Sequence, residues 1–107
     1  MARKLSHPTL RDISIDQVLY ALSDPARRFI VAKLATSLAG GESMNCTKSC
    51  ASDMSPSTIS FHHKILRENG LIKSEKKGVE VINTLRKDEL DKRFPGLLDT
   101  ILKFQRS

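Results

Sequence analysis

The stretch SPSTISFHHKILRENGLIKSEKKGVEVINTL, residues 55–85, changes period in its middle, and that change decides the fold. Ser55-Pro56 pairs an N-cap residue with a proline preset for the first helical position. The helix it opens runs to Asn69 and stops at Gly70. Beyond Gly70, Ile72 to Lys76 and Val79 to Leu85 are β-rich runs joined by the polar tip Lys76-Lys77-Gly78, the pattern of a β-hairpin.

Working towards the N-terminus, the same punctuation recurs. Asp24-Pro25 opens a helix carrying Phe29, Ile30, Leu34 and Leu38, which Gly40-Gly41 ends. Ser14 with Gln17 reads as a capping box for a helix with Ile15, Val18, Leu19 and Leu22 on its apolar face. A weaker helical turn is expected from about Asn45 to Ser52. Towards the C-terminus a last helical region follows Asp88, interrupted at Pro95-Gly96, with Leu97, Leu98, Ile101 and Leu102 as its stripe. The expected order is helix, helix, short helix, helix, hairpin, helix: a mainly α chain with a small β-hairpin, a winged helix-turn-helix. Residues 13–105 form this domain, and residues 1–12 a basic N-terminal arm.

On a wheel of about 100° per residue, Ile59, His63 and Leu66 share one side of the 56–69 helix, with His62 and Asn69 beside them. Ser57, Ser60, Phe61, Lys64 and Arg67 lie broadly opposite. Small hydroxyls let a helix approach base edges closely, and Lys or Arg bonds guanine acceptors or phosphates. The expected DNA-facing set is Ser57, Thr58, Ser60, Phe61, His62, Lys64 and Arg67, joined by Lys76, Lys77 and Gly78 from the hairpin tip. A solvated face would show the same Ser and Lys content; the basic tip one strand away favours nucleic acid.

Charge supports that reading. Eighteen Lys and Arg against twelve Asp and Glu give a net charge of +6 and a pI near 9.6, which suits a polyanionic partner. Residues 60–87 carry seven cations against three acids, and residues 1–11 add Arg3, Lys4 and Arg11 with no acid. The arm is read either as a solubilising tail or as a source of phosphate contacts. With 107 residues, the chain has room for one compact domain and little for a dedicated substrate pocket. No run approaches the ~18 apolar residues of a membrane span, and no apolar stretch follows the charged start as in a signal peptide. A reducing cytoplasm is the expected location, because Cys46 and Cys50 make no secreted disulfide framework.

Two stretches resemble a known family. Leu22-Ser23-Asp24-Pro25-Ala26-Arg27-Arg28 looks like the opening motif of ArsR/SmtB-type bacterial repressors, and Ser57 to Ile72 is similar to their recognition helix and the turn after it. The resemblance runs from about Ile15 to Leu102. It implies a homodimeric winged-helix transcriptional repressor, released from a pseudo-palindromic double-stranded operator by a metal, redox or small-molecule signal. It also implies that the positions of Ser57, Ser60 and Phe61 face DNA. The chain departs from the family at Phe61, where a polar residue is usual, and at His63, where an apolar one is usual. Phe61 suits contact with a thymine methyl group. His63 is read first as a core-side histidine satisfied by a hydrogen bond, with a pH or ligand switch as the alternative.

Cys46 and Cys50 stand near the cysteine box of metal-sensing members, but Met44 replaces one thiolate position and no histidine follows His63. No metal site or cofactor is therefore expected. At i, i+4 on a helix the two Cα atoms would be about 6 Å apart, within disulfide range. Core packing is the first reading of this pair, a thiol switch the second, and a thiophilic ion with a third ligand the last. Catalysis is not expected: no carboxylate is placed to orient His62 or His63 beside Ser60, and there is no glycine-rich phosphate loop. The stripes of the first helix (Ile15, Val18, Leu19, Leu22) and the last (Leu97, Leu98, Ile101, Leu102) exceed the needs of a small core, so they are expected to form the interface of a homodimer. The alternative function is a winged-helix module that docks protein or RNA through its basic wing.

Overall fold

In a computed structural model of the chain, residues 3–4, 7–39, 44–45 and 53–105 are described. Helix α1 (Ile15–Ala21) begins with the expected reciprocal cap: Gln17 N–H donates to Ser14 Oγ at 3.1 Å, and Ser14 N–H donates to Gln17 Oε1 at 2.7 Å. Helix α2 (Pro25–Ala39) starts where Asp24 Oδ1 accepts from Ala26 N–H at 2.7 Å. Helix α3 (Pro56–Glu68) starts at Ser55, whose hydroxyl accepts from Thr58 N–H at 3.3 Å. Each cap satisfies a donor that the first turn of a helix leaves without an intrahelical partner.

Gly70 turns the chain out of α3 with φ +87°, and Leu71 leads into β3 (Ile72–Lys77). Strand β4 (Glu80–Leu85) returns antiparallel, in register from Ile72 opposite Leu85 to Lys77 opposite Glu80. The two-residue turn is Gly78-Val79, with Gly78 at φ +61° in its first position, where this short hairpin turn requires a positive φ. The tip therefore lies one residue later than the sequence pattern placed it.

The hairpin is the centre of a four-stranded sheet rather than a free ribbon. Strand β1 (Arg3–Lys4) pairs with β3, Arg3 opposite Lys76, and strand β2 (Met44–Asn45) pairs with β4, Asn45 opposite Ile82. Both open edges of the hairpin gain backbone partners, which is how exposed strand edges are commonly blunted. Asn45 is thus extended and sheet-paired, where a helical turn was expected; residues 46–52, the rest of that turn, lie outside the described residues.

Helix α4 (Lys87–Arg93) and helix α5 (Leu97–Phe104) follow, split at Gly96 with φ +81°. The core gathers the five helices and the hairpin: Val18, Ala21 and Leu22 at α1, Ile30, Val31 and Leu34 of α2, Ile65 and Leu66 of α3, Ile72 and Leu85 of the hairpin, Leu90 of α4 and Leu98 of α5. Inside the sheet, Ser74 Oγ donates to Asn83 Oδ1 at 2.7 Å, a polar pair satisfied within the core. The arm is tied down where it is described. Ser74 N–H donates to His7 Nε2 and Arg86 Nη1 donates to Pro8 O, each at 2.8 Å.

Candidate nucleic-acid interface

Helix α3 lies with one flank in the core and the other in solvent. Its buried residues are His62, His63, Ile65 and Leu66. Ser57, Thr58, Ser60, Phe61 and Lys64 are exposed, Phe61 at 56%, and Arg67 is half-buried. The outward surface therefore carries hydroxyls, one aromatic ring and a lysine, as the wheel indicated. Thr58 has a local task as well: its hydroxyl lies 2.9 Å from that of Ser55, and Ser57 Oγ lies 3.3 Å away on the same cap.

His62 was expected on the DNA-facing side and is instead buried at 7% exposure. Its Nδ1 lies 3.4 Å from Arg27 Nη1 of α2, a polar partner that makes a buried imidazole tolerable. The only sequence signal was the wheel, which had set His62 beside the apolar side. His63 is buried at 4%, with Nδ1 2.9 Å from the Ile59 carbonyl one turn back. A carbonyl only accepts, so Nδ1 carries the proton. Burial, opposed by that hydrogen bond and supplemented by neighbouring His62, holds the His63 pKa below its ordinary value of 6.5.

At the hairpin, Lys76, Lys77, Gly78 and Val79 are all exposed, and Val79 is fully so. One turn, Asn69 to Leu71, connects α3 to this hairpin, and Leu71 N–H donates to Leu66 O at 2.9 Å across it. Apart from buried His62 and half-buried Arg67, the expected helix residues and the expected tip residues thus occupy two exposed surfaces, linked by a short, bonded turn.

The two apolar stripes divide. Val18, Leu22 and Leu98 are buried in the protomer core. Ile15 and Leu19 of α1 are exposed at 41% and 50%, and Leu97, Ile101 and Leu102 of α5 are half-buried. Tyr20 and Phe104, which the sequence reading passed over, add exposed rings at 54% and 76%. Cys46 and Cys50 lie outside the described residues, and among the described residues no group of three His, Cys, Asp or Glu could hold a metal ion.

A feature with no sequence signal lies behind the hairpin. The arm, sheet and α4 flank an open hollow of about 500 Å³, lined by His7 to Leu10 together with Lys73, Glu75, Arg86 and Glu89. Its charges mostly serve one another: Arg86 Nε and Nη2 donate to the two Glu89 oxygens at 3.2 and 2.7 Å, and Lys73 Nζ adds 3.2 Å. The Arg86 guanidinium, helped by Lys73, draws the Glu89 carboxyl down to about 2.

Comparison with known proteins matches residues 24–74, from the start of α2 into β3, to the family described as bacterial regulatory protein, arsR family. A HTH-type transcriptional regulator of Bacillus subtilis (strain 168), YceK, uncharacterized, is 33% identical over 88 residues, covering 79% of this chain and 83% of that relative.

Proposed function

Because the chain belongs to the arsR family of bacterial regulatory proteins, and is thereby a DNA-binding regulator of transcription and not an enzyme, we propose that it acts as a homodimeric repressor of a pseudo-palindromic operator. The observation that carries this reading is the exposed, acid-poor face of α3, with Ser57, Ser60, Phe61 and Lys64 outward, set beside a basic hairpin tip. In the proposed complex that face enters the major groove, where Ser57 and Ser60 approach base edges and Phe61 meets a thymine methyl. Lys76 and Lys77 neutralise phosphates. Ile15, Leu19 and Tyr20 of α1 with Ile101, Leu102 and Phe104 of α5 are the surface offered to the second copy. Two reading helices then address successive grooves.

The releasing signal is proposed on sequence grounds alone: oxidation of Cys46 and Cys50, next to the start of α3 in the chain. No helix among the described residues is long and apolar enough to cross a membrane, and the cytoplasm is proposed as the site of action.

The test is titration of the protein against a duplex from upstream of its own gene and a scrambled duplex, across a salt series. The repressor reading expects affinity for both to fall steeply with salt and a preference for the first to persist. Equal affinity for the two would overturn it in favour of a module that docks protein or RNA. Peroxide treatment should abolish the preference, and Cys46→Ser should make it insensitive; unchanged binding after peroxide removes the thiol signal.

A further inference from the structure

Arg27 is buried at 5% exposure in the first turn of α2, a position where the helix dipole opposes a cation. Its contacts account for the placement. Nε donates to Ala21 O at 2.7 Å and Nη2 to Tyr20 O at 3.3 Å, so the guanidinium binds carbonyls at the C-terminus of α1. Its carbon stands 5.4 Å from the centre of the Tyr20 ring, and Asp24 Oδ2 lies 3.9 Å from Nη1. The same Nη1 faces His62 Nδ1 of α3. A guanidinium has no acceptor, so Nδ1 offers its lone pair and the ring proton sits on Nε2. One side chain therefore joins α1, α2 and the helix with the outward hydroxyl face.

Apolar packing lacks this directionality. Ile65 and Leu66 hold it to the core by apolar packing, which is favourable over a range of rotations. The His63 bond to Ile59 lies within α3 and fixes nothing relative to α2. The Arg27–His62 contact, by contrast, crosses between helices at a defined atom pair, on a guanidinium whose orientation the α1 carbonyls already set.

We propose that Arg27 is a positioning residue for base reading: by engaging His62 it fixes the rotation of α3 about its axis, and so which of Ser57, Ser60 and Phe61 meet base edges. The inference rests on the DNA-binding reading above. Losing the contact leaves α3 attached and the lysines in reach of phosphates, while the hydroxyl face loses its alignment. Discrimination between duplexes suffers more than general affinity, which a purely structural role would not produce. Lysine is no substitute, since a single ammonium cannot reach carbonyls and imidazole in the same fork.

The test uses the full chain and five proteins: wild type, Arg27→Lys, His62→Leu, the double variant of these two, and His62→Gln, whose amide oxygen can still accept. Each is titrated against the preferred and the scrambled duplex at one salt concentration, alongside its melting temperature. Arg27→Lys and His62→Leu should each lower the ratio of preferred to scrambled affinity about tenfold, the scale of one hydrogen bond to a charged group. Their scrambled affinity should stay within about twofold, and His62→Gln should keep most of the ratio. The double variant should be no worse than either single one. Wild-type ratios in both Arg27→Lys and His62→Leu would overturn the proposal alone. So would parallel loss of both affinities in step with melting temperature. A wild-type protein without any preferred duplex would overturn the DNA-binding reading and this inference with it.

Discussion

Ile13 closes directly over Gly70: a β-carbon at Gly70 would fall 2.4 Å from Ile13 Cδ1 and 2.5 Å from its Cγ1. Ile13 is fully buried, so it has little room to withdraw, and the φ of +87° at Gly70 independently disfavours any side chain. Gly70→Ala should destabilise the protein by about 2 kcal/mol through overpacking and backbone strain together. Adding Ile13→Val, which removes Cδ1, should recover part of that loss in chemical denaturation. No recovery would mean that the backbone angle dominates.

Lys64 and Lys77 are exposed on the two surfaces of the proposed interface. Lys64→Ala and Lys77→Ala should weaken binding to any duplex, each reducing the slope of log affinity against log salt by about one. Ser57→Ala and Ser60→Ala should change site preference at unchanged slope. Unaltered affinity in both lysine variants would show that these surfaces do not dock as proposed.

His63 links stability to pH. Its pKa is lowered in the folded chain, so the unfolded chain binds the proton first. The stabilisation is complete above the ordinary value of 6.5 and is lost as pH falls through the lowered native value. Melting temperature should decline on acidification from pH 6.5, and His63→Leu should flatten that decline relative to wild type.

Glu89 acts in a lower window. With its carboxyl at about 2 against an ordinary 4.5, it contributes stability above 4.5 that fades as pH falls towards 2. The group is about a third exposed, so Glu89→Gln should cost only about 1 kcal/mol at pH 7. Its clearer signature is local. Freed from Glu89, Arg86 holds Pro8 less firmly, and the Ser74 amide bonded to His7 should exchange with solvent faster.

Leu19 and its buried neighbour Val18 separate the proposed dimerisation from folding. Leu19→Asp, at a half-exposed position, should leave melting of the protomer nearly unchanged while producing a monomer by sedimentation and losing operator affinity. Val18→Asp, in the core, should unfold the chain. A Leu19→Asp protein that remains dimeric would move the interface away from α1.

The helices were legible because their signals are local: Ser14 with Gln17, Asp24-Pro25 and Ser55-Pro56 each solve a capping problem within four residues. The hairpin was legible from its two β-rich runs and the polar tip Lys76-Lys77-Gly78 between them. Strands β1 and β2 were not, because two residues show no period and are extended only by virtue of the edges they meet. Asn45 was misread for that reason. His62 was counted as outward because its partner, Arg27, comes from a helix distant in sequence, and a lone polar residue beside an apolar stripe reads as solvated. The stripes of α1 and α5 gave no sign of how they would divide between core and surface, since Val18 and Leu19 are equally apolar and differ only in the packing around them.

The strand order β1-β3-β4-β2 brings together residues 3–4, 44–45 and 72–85. During synthesis, β1 and β2 leave the ribosome before the hairpin they flank, and they have no sheet to join until Leu85 is out. Helices α1 and α2 can form early, as local structure does. The basic tip is framed only when most of the chain exists. A nascent or prematurely terminated copy lacking the hairpin therefore carries at most the proposed reading helix without the basic tip, and on that proposal it competes poorly for the sites of the finished protein.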